Sequence, residues 1–221
     1  MHEALLLDVG YVVIELTWPA VEAYEATTGT NGPGGDHAAS AGDAEWQQHV
    51  AGAITADRYW DKVARSRGHG DFLTLFRGLA EVVPDELFDR NALALMREAQ
   101  AAGRRVGVLT NDSYSFIGRD FFADRPEFAG LDAFVDATDI GARKPAPEAY
   151  LAAANALAAT PGDIVFLDDT PECVEGARRV GMVGILVDPF DRLPAFDQAR
   201  ELLGLAAGQS DDGRRRPMPR Q

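Results

Sequence analysis

A small set of polar residues recurs along this chain, most of them placed directly after an apolar run. Asp8 follows Ala4-Leu5-Leu6-Leu7 and precedes Val9-Gly10-Tyr11-Val12-Val13. Thr110 and Asn111 follow Val106-Gly107-Val108-Leu109, Lys144 stands in Gly141-Ala142-Arg143-Lys144-Pro145, and Asp168-Asp169 close Ile164-Val165-Phe166-Leu167. A carboxylate delivered to the end of a buried run is costly unless a cation, a proton or hydrogen-bond donors compensate it. Aspartate oxygens are hard ligands of the kind Mg²⁺ takes, with waters and a phosphate completing the shell. Thr110 offers a hydroxyl and Asn111 an amide, and N–H groups opening the next helix favour an anion. Lys144 adds a compact positive charge in a chain whose only other lysine is Lys62. Nucleophile, metal, hydroxyl and lysine are the parts that phosphoryl transfer needs. Each part alone also has a plain role: Asp8 as a turn cap, Thr110 as a strand end, Lys144 as a surface residue, and the Asp pair as the start of a helix at Thr170-Pro171.

The elements that must carry these residues read as alternating helix and strand. The three apolar runs are strands, joined by shorter ones at 133–135 and 184–187. Helices are expected from Pro84, with Phe88, Ala92, Leu95, Met96 and Ala99 on one stripe and a stop at Gly103, over 113–123, from Pro147, and from Pro171 to Val180. Strands apolar throughout and spaced by amphipathic helices indicate an α/β fold, a Rossmann-like parallel sheet flanked by helices. Ligands bind outside the carboxyl ends of such strands, so Asp8, Thr110 and Asp168 should converge there. Residues 17–82 differ in character, with Trp18, Trp46, Trp60 and a Gly-rich piece at 29–35. They read as an inserted helical cap, leaving 1–16 and 83–208 as the core and 209–221 as a disordered, Arg-rich tail. The Gly-rich piece lacks a P-loop lysine pattern and reads as a linker.

The order of the motifs carries more than any one of them. Asp8-Val9-Gly10, the strand ending in Thr110-Asn111, Lys144-Pro145, and Phe166-Leu167-Asp168-Asp169 followed by Glu175-Gly176-Ala177 and Gly181-Met182 resemble the four motifs of the haloacid dehalogenase-like hydrolase superfamily. The resemblance covers Glu3 to about Leu193, and the insert is similar to the C1-type cap of phosphatase branches related to bacterial sugar-1-phosphatases. It implies that Asp8 attacks phosphorus to form an aspartyl-phosphate that water hydrolyses. It further implies Mg²⁺ held by Asp8, the Gly10 carbonyl, Asp168 and Asp169, with Thr110, Asn111 and Lys144 binding the transferring phosphoryl group of a small phosphorylated substrate, such as a sugar phosphate. The chain departs from the commonest pattern at Gly10, where a second Asp usually serves as general acid and base, a contribution worth ~10²–10⁴-fold. Asp112 is a minor candidate to replace it.

Two other readings stand beside this one. A 2-haloacid dehalogenase also uses the first Asp and needs no acid for a halide, but it needs no metal and its last motif does not resemble Asp168-Asp169. A non-catalytic binding or interaction protein on the same fold has Gly10 and Tyr11 as its main support, and the set of Asp8, Thr110, Lys144 and Asp168 weighs against it. A receiver domain would have its acidic pair first, and a dinucleotide fold would show G-x-G-x-x-G after the first strand.

Bulk composition agrees with an enzyme of small substrates. The 221 residues are 46% hydrophobic and 25% charged, with a formal net charge of −14, which argues against nucleic acid and anionic membrane as partners. Cys173 is the single cysteine, so no internal disulfide forms. No basic leader or membrane-length apolar run is evident, and a cytoplasmic setting is expected. Oligomeric state is not legible. In the insert, Arg58, Lys62, Arg65, Arg67, His37, His49 and His69 are candidate anion contacts, weighed against the ordinary solvated face of a helix; Trp46 and Trp60 are expected in its core.

Overall fold

Five short apolar segments pair in parallel to form one sheet: β1 (Ala4–Leu7), β2 (Arg105–Thr110), β3 (Ala133–Asp136), β4 (Ile164–Asp168) and β5 (Val183–Leu186), in the order β3-β2-β1-β4-β5. The computed structural model describes residues 2–15, 18–30, 44–45, 48, 53–54, 56–111, 113–188 and 191–205. These fall into two compact units, one built from the residues up to Ile14 and those from Asp89 on, the other from Glu15–Phe88.

In the first unit every residue of β1 is fully buried, as a central parallel strand covered on both faces requires. Ala4 and Leu6 face Leu109, Phe166, Tyr150, Ala153 and Leu157, so helices Pro147–Ala156 and Pro171–Arg179 cover one face. Side chains alternate along a strand, and helices Arg90–Ala101 and Leu193–Leu203 pack against β2 and against β1 and β4 respectively. Leu7 pairs with Val108 on one side and Leu167 on the other, so the ends of β2, β1 and β4 share one edge. The chain reverses its strand order beside β1, where open α/β sheets place ligands.

The second unit packs helices Trp18–Thr28, Ala56–Ser66, Phe72–Val82 and Pro84–Leu87. Tyr59, Trp60, Val63, Phe72, Leu75, Phe76 and Leu79 are among its buried residues, so Trp60 sits in the core as its helical spacing suggested. Trp46, His37, His49, most of the Gly-rich piece and the tail beyond Leu205 lie outside the described residues, as does Asp112. Arg67 does not offer itself to an anion. Its guanidinium is buried on Glu25, with Nε donating at 2.6 Å, and His69 Nε2 lies 3.3 Å from the same carboxylate. Burial works against the charged form of Glu25, but the hydrogen bonds from Arg67 and His69 outweigh it and hold the carboxyl below its usual value. Arg65 pairs with Asp61 and Lys62 with Glu45, both exposed, in keeping with a solvated face.

Two helices differ from their expected extents. The apolar stripe from Pro84 is cut at Phe88-Asp89: Phe88 is extended, and Asp89 Oδ1 accepts from Asn91 N and Ala92 N at 2.8 Å to cap a new helix. The segment 113–123 is two short helices, Ser113–Phe116 and Arg119–Ala123, parted at Gly118, whose φ of 99° ends the first.

Candidate active site

The shared strand edge gathers the chemistry. Asp8 comes directly after β1, its N–H donating to Leu167 O at 2.9 Å; Thr110 is the last residue of β2 and Asp168 the last of β4. Lys144 reaches them from the loop after β3, and its Nζ donates to Asp8 Oδ1 at 2.7 Å and to Asp168 Oδ2 at 2.6 Å. All three side chains are shielded from water. Asp169 completes a group in which one oxygen from each of Asp8, Asp168 and Asp169 lies within 4.8 Å of the others.

Electrostatics follow from that crowding. Burial, with the nearby charges of Asp168 and Asp169, pushes the Asp8 carboxyl up to about 7 against the opposing pull of Lys144. Asp169 rises to about 6 for the same two reasons, burial first and Asp168 second. Burial disfavours the charge on Lys144, yet Asp8 and Asp168 raise it above its usual value, so it is the site's fixed cation. Three carboxylates against one ammonium leave an excess of negative charge, and an all-oxygen donor set of this kind fits a hard divalent cation such as Mg²⁺.

The surrounding residues hold these groups in place. Asp168 Oδ1 accepts from Thr170 N at 2.8 Å, which turns the chain into helix Pro171–Arg179. That helix comes close to the Lys144 loop only because position 176 has no side chain: a Cβ there would stand 2.9 Å from Pro145 and 2.6 Å from the Tyr150 hydroxyl. Thr110 Oγ1 shares a 2.6 Å hydrogen bond with Ser113 Oγ, so both hydroxyls stand at the end of β2. The Asn111 side chain is engaged with the main chain of Lys144. Gly10 is exposed, and a Cβ built on it meets nothing nearer than Asp8 Oδ2 at 4.0 Å.

Ser113 and Asp136 were not singled out from sequence. Asp136, fully buried at the end of β3, accepts from Thr138 N at 2.9 Å to cap the short helix Ala137–Ile140 and from Tyr114 N at 2.7 Å in helix Ser113–Phe116, tying the chain after β2 to the chain after β3. Its signal is the one that marked Asp8 and Asp168, an aspartate closing an apolar strand, but the expected strand stopped one residue short of it.

An α/β sheet with an inserted helical unit and a lysine-bridged aspartate cluster at its carboxyl edge defines a class of hydrolase. The haloacid dehalogenase-like hydrolase family model matches residues 4–181, and the chain belongs to that family. A phosphatase of Mycobacterium tuberculosis is 39% identical over 98 residues, which are 44% of this chain and 45% of that protein, so the match spans just under half of the relative's length. Among solved structures, a HAD phosphatase from Thermococcus onnurineus is similar with a TM-score of 0.58 at 16% identity, covering 93% of this chain and all of that one. The L-2-haloacid dehalogenase PA0810 is similar with a TM-score of 0.53 at 20% identity, covering 82% of each chain. Both share the fold. Among the described residues no helix is long and apolar enough to cross a membrane.

Proposed function

We propose that this protein is a Mg²⁺-dependent phosphomonoester hydrolase that acts on a small phosphorylated metabolite, such as a sugar phosphate, through an aspartyl-phosphate on Asp8. The observation that carries the reading is the shared ammonium of Lys144, 2.7 Å from Asp8 and 2.6 Å from Asp168, with Asp169 in the same cluster. A dehalogenase or a scaffold has no physical need for that surplus of carboxylates. The phosphatase relative from Mycobacterium tuberculosis supports the same choice.

Asp8, the Gly10 carbonyl, Asp168 and Asp169 would hold Mg²⁺, which when bound neutralises the carboxylates and withdraws charge from the phosphoryl oxygens. An Asp8 oxygen attacks phosphorus, and the bond from phosphorus to the substrate oxygen breaks. Lys144 keeps Asp8 aligned and, with the Thr110 hydroxyl and N–H groups after β2, takes up charge on the equatorial oxygens. The departing alkoxide takes its proton from water, because Gly10 has none to give. Water then attacks the phosphorus of the aspartyl-phosphate, releasing inorganic phosphate and regenerating Asp8. We assign substrate selection to the helical unit 15–88 as a C1-type cap, and a cytoplasmic setting to the protein.

Phosphate release from a panel of sugar phosphates and other phosphomonoesters, with Mg²⁺ and with chelator, tests this reading. Mg²⁺-dependent release supports it; halide release from a 2-haloacid without phosphate release would replace it with dehalogenation.

A further inference from the structure

Arg192 lies beyond residue 181, where the family match ends, yet it returns to the loop that carries Asp8 and Gly10. Its main chain is fixed at the start of helix Leu193–Leu203, where its carbonyl accepts from Ala195 N and Phe196 N. From there Nε donates to Tyr11 O at 3.0 Å, and Nη1 lies 3.8 Å from Asp89 Oδ2. Both charged side chains are largely buried. Asp89 is itself tied to the same loop, since its N–H donates to Val13 O at 3.0 Å.

Tyr11 is the residue that needs such support. Its φ is 54°, in the left-handed region that residues other than glycine seldom enter. The peptide planes on either side of it are both pinned. Tyr11 N donates to Ile14 O at 2.8 Å, which fixes the plane containing the Gly10 carbonyl, and Arg192 fixes the next plane through Tyr11 O. Rotation about Tyr11 is the route by which the Gly10 carbonyl would turn, because a peptide moves as a rigid plane.

We propose that Arg192 is a positioning residue that holds the Gly10 carbonyl in the orientation needed to bind the divalent cation. This rests on the Mg²⁺ reading above. Arg192 acts through Tyr11 and touches neither substrate nor metal.

The whole chain is titrated with Mg²⁺ alone by calorimetry, beside turnover of an aryl phosphate. Partners that orient metal ligands typically contribute about 10–100-fold to affinity. Arg192→Met is expected to weaken Mg²⁺ binding about tenfold and to lower kcat while KM for the phosphate ester stays nearly constant. Arg192→Lys, which keeps the charge but not the fork that spans both partners, shifts Mg²⁺ affinity the same way and serves if the Met variant does not fold. Asp89→Asn keeps a capping side chain and leaves the Tyr11 contact intact, so its Mg²⁺ affinity stays close to that of the wild type. Wild-type Mg²⁺ affinity in a folded Arg192 variant would overturn the proposal, as would an equal loss in Asp89→Asn, which would assign the effect to the ion pair. A wild-type protein that neither binds Mg²⁺ nor turns over would overturn the phosphatase reading instead.

Discussion

The side-chain amide of Asn111 holds the main chain of Lys144 at both of its polar groups: Lys144 N donates to Oδ1 at 2.7 Å, and Nδ2 donates to Lys144 O at 3.2 Å. Lys144 sits in a loop between the short helix Ala137–Ile140 and helix Pro147–Ala156, where no strand or helix fixes its backbone. The ammonium 2.7 Å from Asp8 therefore depends on a residue at the end of another strand. Asn111→Ala is expected to reduce kcat by about 10²-fold, the usual effect of a displacement of about 1 Å in a catalytic group, with unchanged secondary structure. Asn111→Asp keeps the acceptor for Lys144 N and should lose less. Steady-state kinetics beside circular dichroism checks both.

Removing the ammonium has a different signature. Lys144→Met leaves Asp8 and Asp168 buried without their partner, and breaking a buried pair in this way typically costs about 3–5 kcal/mol. Thermal unfolding of the variant should show a large loss without metal and a partial recovery with Mg²⁺, while turnover stays low because phosphoryl charge is no longer met. A variant as stable as the wild type would contradict the pairing.

Room at position 10 makes the missing acid testable. The nearest atom to a Cβ there is Asp8 Oδ2 at 4.0 Å, and its φ is not in the positive region, so Gly10→Asp introduces no clash at its first atom. A restored acid should raise turnover of alkyl phosphates, whose leaving groups need a proton, by about 10²-fold or more while changing aryl phosphates little. Equal effects on both substrate types would show that proton delivery does not limit the enzyme.

In the helical unit, stability should follow the Glu25 carboxylate. Its folded value lies below the usual 4.5, so its contribution is complete above that pH and is lost as pH falls through the depressed folded value. Glu25→Gln, which strands the buried Arg67, is expected to lower stability at pH 7 by about 3–5 kcal/mol and to flatten the acid limb of the unfolding curve. Melting temperatures between pH 3 and pH 7 would show this; parallel acid limbs for both proteins would argue against it.

Much of this arrangement was legible in the residues. All-apolar runs ending in Asp8, Thr110 and Asp168 and spaced by amphipathic helices indicate parallel strands buried on both faces, and parallel strands put their ends on one edge. What escaped were features set by single side chains in three dimensions. The break at Phe88-Asp89 is silent in the periodicity because Phe88 and Ala92 keep the same apolar phase across it. Helix Leu193–Leu203, left unassigned by pattern, is fastened by Arg200 Nε to Glu98 at 2.7 Å, a pairing across 102 positions that no local rule reaches. The hold that the Asn111 amide has on the main chain of Lys144 across 33 positions, and the return of Arg192 to Tyr11, had no motif to mark them. The candidate cap contacts sort by burial: Arg67 is internal, while Arg65 and Lys62 are exposed and paired.

The proposed role of Asp8 as nucleophile of a metal-assisted phosphatase is open to direct test. Hydrolysis of an activated aryl phosphate should be compared for the wild type and Asp8→Asn, each with Mg²⁺ and with chelator. Turnover that requires both Mg²⁺ and Asp8 is the expected result. Equal turnover by Asp8→Asn, or no turnover by folded wild-type protein in any condition, would contradict it.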